Sequence, residues 1–217
     1  VLADGMGGHQ AGEVAAHMAV GSVLEKLQKL SETESLAPIT SSKLLEFISN
    51  TISHSNTIIF NAAKSIDEHK GMGTTLVAAV IKDSRIYAGH VGDSRLYLFR
   101  DRALSRITRD HSLAQDLIDK GFYTEEEAKT ASVGHIVTRA LGTKAEVEVD
   151  TIEHDALPND VFLLCSDGLS DMVADWLIEE TLADHRTDLN GAAKKLILLA
   201  NRNGGKDNIS VILMQVQ

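Results

Sequence analysis

From Gly12 to Leu30, the apolar residues Val14, Met18, Val20, Val23, Leu24, Leu27 and Leu30 recur at three- and four-residue spacing. That period predicts an amphipathic helix starting near Gly12-Glu13. Residues 31–41 are polar and contain Pro38, which predicts a loop. A second long helix is expected from about Ser42, with Leu44, Leu45, Ile48, Ile52, Ile59 and Ala63 on its inner side. Two neighbouring amphipathic helices of this length predict an antiparallel pair covering a sheet.

At Thr74 the pattern changes to strands. Thr75–Lys82, Arg85–Val91 and Ser94–Arg100 are rich in Val, Ile, Tyr and Leu, and Lys82-Asp83-Ser84-Arg85 reads as a hairpin turn. A short strand over Leu104–Thr108, a polar helical stretch over 112–132 interrupted at Gly121, and strands over His135–Arg139 and Val147–Ile152 follow. Asp160–Cys165 reads as a buried strand, Val173–Leu182 and Leu189–Asn201 as helices, and Ile209–Val216 as a closing strand. Long helices combined with strands in antiparallel succession predict α+β layers rather than alternating βαβ units.

Composition narrows the class. The 217 residues, 43% hydrophobic and 24% charged, suit one globular domain over 1–217. Two prolines and no low-complexity run give no sign of a linker. A net charge of −10 argues against nucleic acid, whose readers carry a basic patch. No apolar run reaches the roughly 18 residues of a membrane span, and no signal peptide is visible. The single cysteine, Cys165, allows no intrachain disulfide and fits a cytoplasmic setting. Its place in an apolar run makes it a core residue rather than a nucleophile.

Candidate chemistry lies in the aspartates. Four times an apolar stretch or a glycine turn leads into Asp followed by a small or amide residue: Ala3-Asp4-Gly5, Gly92-Asp93-Ser94, Ser166-Asp167-Gly168 and Lys206-Asp207-Asn208. Carboxylates gathered at strand ends repel one another unless a cation neutralises them, and hard divalent ions such as Mg2+ and Mn2+ take such oxygen ligands. Each aspartate taken alone is equally an ordinary turn former. Neither a G-x-x-x-x-G-K-[ST] loop nor G-x-G-x-x-G is present, so a nucleotide fold has no support.

Seven segments occur in order: Ala3-Asp4-Gly5-Met6-Gly7-Gly8-His9, Gly71-Met72-Gly73-Thr74-Thr75-Leu76, His90-Val91-Gly92-Asp93-Ser94-Arg95, Thr108-Arg109-Asp110-His111-Ser112, Thr138-Arg139-Ala140-Leu141-Gly142, Cys165-Ser166-Asp167-Gly168-Leu169-Ser170-Asp171 and Asp207-Asn208-Ile209-Ser210. Together they resemble the metal-dependent protein phosphatases, in particular the bacterial branch of the type 2C serine/threonine phosphatases. The resemblance implies a four-layer α-β-β-α sandwich with two Mn2+ or Mg2+ ions in a cleft at one end, and a weaker third ion. It implies that Asp4 bridges the two ions, that Gly5 offers its carbonyl, and that Asp167 and Asp207 hold one ion. Asp93 and Asp171, with Asp167, match the third position. The implied reaction is one-step hydrolysis of phosphoserine or phosphothreonine in proteins by a metal-bridging water, opposing a bacterial Ser/Thr kinase, with a monomeric enzyme expected. A non-catalytic regulatory domain, or a phosphatase of small phosphomonoesters, are the alternatives.

Other motif residues are read more plainly. Gly71–Thr75 is expected to enter a strand by a tight turn, and Arg95 and Arg139 to make structural ion pairs. The position directly after Asp4-Gly5 holds Met6, so the acid role of the histidine found there in eukaryotic members is not transferred to His9. Residues 112–135 correspond to a flap beside the cleft. His111 receives no mechanism. The chain begins at Val1 within an apparent strand, so a lost N-terminal piece is expected, and the resemblance implies that such a piece carries a phosphate-binding arginine and an acidic motif.

Overall fold

The computed structural model describes residues 1–7, 9–33, 39–65, 67–130 and 136–217. The elements run in the order β1 (Gly5–Met6), α1 (His9–Thr33), α2 (Ser41–Ser65), β2 (Gly73–Thr74), β3 (Leu76–Lys82), β4 (Arg85–Val91), β5 (Arg95–Arg100) and β6 (Ala103–Arg106). There follow α3 (Leu113–Asp119), α4 (Glu125–Thr130), β7 (Asp150–Asp155), β8 (Val161–Cys165), α5 (Asp167–Ser170), α6 (Asp175–Asp184), α7 (Leu189–Arg202) and β9 (Val211–Gln215).

Two antiparallel sheets, ordered β3-β4-β7 and β6-β5-β8-β9, face each other. Alternation along each strand sends successive side chains to opposite faces. On β4, Tyr87 turns to the α1/α2 core while Ile86 and Ala88 enter the space between the sheets. On β8, Val161, Leu163 and Cys165 meet α6 and α7, and Phe162 and Leu164 meet the other sheet. Covered on both faces, β8 is apolar at every position, which is why its sequence shows no alternation. The result is the four-layer α-β-β-α sandwich. Cys165 is a buried core residue whose thiol burial pushes up to about 12.

The hairpin at Lys82–Arg85 forms as expected, with Asp83 and Ser84 both at positive φ of 50° and 58°. Those values belong to the tight turn whose twist matches antiparallel strands. Several boundaries differ from expectation. Helix α1 begins at His9, ahead of the Gly12 start. Gly12 is not a helix signal here; it serves the packing described below. Over the expected strand 135–139, His135 lies outside the described residues. The remainder makes only one isolated bridge, Ser112↔Val137. Its backbone is engaged by the loop ahead of α3, through Leu113 N–H to Ile136 O at 2.8 Å and Thr138 N–H to His111 O at 2.9 Å. Strand β7 begins at Asp150, opposite His90, while Val147 and Val149 pack on the helix-side core. The helical stretch after Ser112 divides into α3 and α4, with Gly121 at φ +74° between them. Residues 131–135 of the expected flap lie outside the described residues.

Candidate metal centre

Strand ends deliver the aspartates. Leu2 bridges Val77 on β3, and Asp4 follows at the end of that pairing. The Asp4 backbone is held on both sides by one threonine pair. Its carbonyl accepts from Thr75 N–H at 2.8 Å and from the Thr74 hydroxyl at 2.8 Å, and its N–H donates to Thr75 Oγ1 at 3.1 Å. Thr75 Oγ1 lies 2.7 Å from Ser94 Oγ, linking the Asp4 strand to the turn that carries Asp93. The Gly71–Thr75 segment is therefore more than a turn into a strand: its two hydroxyls join two aspartate-bearing loops.

Asp167 opens α5 directly after β8. Ser166 ties that point to the Asp207 loop: its hydroxyl donates to Asn208 O at 2.7 Å and accepts from Ser210 N–H at 3.0 Å. A Cβ on Gly168 would stand 2.3 Å from Asn208 O, so this approach requires glycine after Asp167. The same holds for Gly5, where a Cβ would stand 2.0 Å from the Gly12 carbonyl oxygen at the start of α1. Close packing thus explains the Asp-Gly pairs, and leaves the Gly5 carbonyl near the cleft. Asp171 lies one turn after Asp167, its N–H donating to Asp167 O at 2.8 Å. It does not cap the next helix, whose N-cap is Ala174.

Asp4, Gly5 and Asp207 line a cleft of roughly 730 Å³ together with Glu13, Lys206 and Asn208. Asp4 and Asp167 come within hydrogen-bonding reach of each other. Burial, then the charges of Asp167 and Asp207, push the Asp4 carboxyl up to about 7. Burial, then the charges of Asp167 and Asp110, push Asp93 up to about 7. Asp167 is raised by burial and by Asp171 and Asp207. Among the described residues no lysine or arginine forms an ion pair with Asp4, Asp93, Asp167 or Asp207. Asp167 Oδ1 is buried with no hydrogen-bond partner. Buried carboxylates are normally paired or bound to metal. Such a cluster, rich in oxygen donors and poor in cations, fits hard divalent ions.

Of the expected site residues, Asp4, Asp93, Asp167, Asp171 and Asp207 are drawn into mutual electrostatic contact. Arg95 and Arg139 are occupied in ion pairs with Asp110 at 2.7 Å and Asp150 at 2.6 Å, as expected. The His9 side chain lies outside the described residues. Sequence reasoning missed Glu13, Thr75, Ser94 and Ser166. The hydroxyls were not legible, because a threonine or serine beside a turn is equally an ordinary turn residue.

Comparison with known proteins agrees with this geometry. The family model described as Protein phosphatase 2C matches residues 1–202. The serine/threonine phosphatase stp of Listeria monocytogenes is 41% identical over 215 residues, covering 99% of this chain and 83% of that protein. The crystal structure of the Mycobacterium tuberculosis serine/threonine phosphatase PstP/Ppp superposes with a TM-score of 0.88 at 39% identity, covering 99% of this chain and 86% of that one. The PstP catalytic domain in complex with two manganese ions gives a TM-score of 0.82 at 39% identity, covering 97% and 84%. This chain belongs to the protein phosphatase 2C family of metal-dependent protein phosphatases.

Proposed function

We propose that this chain hydrolyses phosphoserine and phosphothreonine in proteins at the carboxylate cleft, counteracting a Ser/Thr kinase, and that residues 1–217 belong to one monomeric phosphatase domain. Asp4 would bridge two Mn2+ or Mg2+ ions, the Gly5 carbonyl would complete one of them, and Asp167 and Asp207 would hold the other. Asp93 and Asp171, with Asp167, would hold a weaker third. When bound, such ions lower the pKa of water to near neutrality and offset charge on the phosphoryl oxygens. The protein's own contribution is orientation. Thr74 and Thr75 fix the Asp4 backbone, and Ser166 fixes the Asp207 loop to Asp167. Lys206 on the cleft wall offers a cation to the entering dianion.

The observation that carries this reading is the buried Asp167 Oδ1, without a hydrogen-bond partner beside Asp4, Asp93 and Asp207, with which no lysine or arginine among the described residues forms an ion pair. The test is phosphate release from a phosphothreonine peptide with and without Mn2+, beside Asp167→Asn. Turnover should require Mn2+ and fall by more than about 100-fold in the variant, beyond the 10–100-fold typical for a residue that only supports a ligand. Turnover that persists without Mn2+, or in Asp167→Asn, contradicts the assignment.

A further inference from the structure

His111 stands outside the cleft, yet it grips the residue before Asp93 from two sides. Gly92 N–H donates to His111 Nδ1 at 3.0 Å, and the Gly92 carbonyl accepts His111 N–H at 3.0 Å. Gly92 has a φ of +105°, and a Cβ there would stand 2.7 Å from the Thr75 side chain. The turn that presents Asp93 is therefore an unusual backbone held in place from outside. The imidazole is 7% exposed and is itself braced. It stacks on His90 with centroids 4.7 Å apart and planes 17° from parallel. Its Nε2 lies 3.3 Å from Asp150 Oδ2, and Asp150 in turn takes Arg139 Nη1 at 2.6 Å. With Nδ1 accepting, the ring proton sits on Nε2 and donates to Asp150.

His90, His111 and Asp150 bring ligand atoms within 4.8 Å of one another, but a second metal does not suit them. Arg139 Nη1, 2.6 Å from Asp150 Oδ1, already supplies the cation. Near-parallel stacked rings also send their lone pairs side by side instead of toward a common point.

We propose that His111 is a positioning residue for the metal-facing conformation of Asp93, acting through the Gly92 peptide. Neighbouring residues of the same segment grip the next part of that turn. Asp110 takes Arg95 through both carboxylate oxygens, and Thr108 Oγ1 accepts Leu96 N–H at 2.9 Å. Thr108–Ser112 is thus a splint along Gly92–Leu96, with His111 at the aspartate. The inference rests on Asp93 being a ligand of the weaker ion.

The test compares His111→Asn with His111→Gln. An asparagine places its amide oxygen near the Nδ1 position and can still accept Gly92 N–H; a glutamine places its polar end near Nε2 and cannot. Peptide phosphatase activity is followed against Mn2+ concentration for both variants and for Asp93→Asn, with thermal melts alongside. His111→Gln should raise the half-maximal Mn2+ concentration about tenfold, in the range typical for residues that support a ligand. His111→Asn should stay within about threefold of the parent, and Asp93→Asn should shift at least as far as His111→Gln. If Asp93→Asn leaves the Mn2+ dependence unchanged, the ligand reading fails and the inference with it. If Asp93→Asn shifts it but the two His111 variants behave alike, the inference alone is overturned.

Discussion

An added methyl at Gly168 would sit 2.3 Å from the Asn208 carbonyl oxygen, where no flexible side chain can give way. Gly168→Ala must therefore part the Asp167 and Asp207 loops. We expect a loss of about 1–3 kcal/mol in stability from overpacking, and a larger loss of Mn2+ affinity than of melting temperature. Calorimetric Mn2+ titration beside a melt checks this; unchanged Mn2+ affinity would contradict the packing account. Asp160 makes a different residue-scale case. It is 2% exposed and accepts Arg100 Nε at 2.8 Å, Arg100 Nη2 at 2.6 Å and Leu157 N–H at 2.7 Å, at the opposite end of β8 from Asp167. Asp160→Ala should cost about 1.5–3 kcal/mol, the range for hydrogen bonds to a charged group. Denaturant unfolding measures it, and kcat at saturating Mn2+ should not change. At this scale Asp4, Asp93 and Asp167 were legible because each ends an apolar, strand-like run and is followed by a small residue, and Asp207 because a glycine turn leads into it. Thr75 and Ser166 were not, because their partners lie 19 and 42 residues away in sequence.

Elements were legible where one periodicity ruled them. Helices α1 and α2 show a single apolar face, and β3 to β5 carry β-branched and aromatic residues between clear turns. Strand β8, apolar throughout, could be read as buried but not assigned to a sheet face. Leu163 on that strand is fully buried against α6 and α7. Leu163→Ala should lose about 2–5 kcal/mol, with the spread set by how far the helices can close in. A loss below about 1 kcal/mol would place Leu163 outside the core, against the two-faced packing of β8. The failures fall where tertiary bonds overrule local preference. Residues 136–139 have strand-forming side chains, but their backbone is spent on the His111 loop. Strand β7 is fixed by its pairing with β4, which starts at His90 opposite Asp150 and leaves out the expected Val147 and Val149.

At the scale of the molecule, the sandwich gathers Asp4, Asp93, Asp167 and Asp207, with which no lysine or arginine among the described residues forms an ion pair. Asp4 and Asp93, each pushed up to about 7, hold protons in the metal-free folded state that the unfolded chain has released above about pH 4. Between those values the folded state binds more protons at these two groups, so their contribution to stability falls as pH rises; His90 and His111, held below the usual imidazole range by burial, act the other way below about pH 6.5. The metal-free protein should therefore melt at lower temperature at pH 7.5 than at pH 5.5. Added Mn2+ should reverse that slope, since ions displace those protons and bind more tightly at higher pH. A metal-free melting temperature that climbs from pH 5.5 to 7.5 would contradict the burial of charged carboxylates.

The most direct test of the metal centre is anomalous diffraction at the manganese edge from crystals grown with Mn2+. The account predicts two strong peaks in the cleft, among Asp4, Gly5, Asp167 and Asp207, with a weaker third near Asp93 and Asp171. Peaks confined to His90, His111 and Asp150, or a cleft without density, would contradict it.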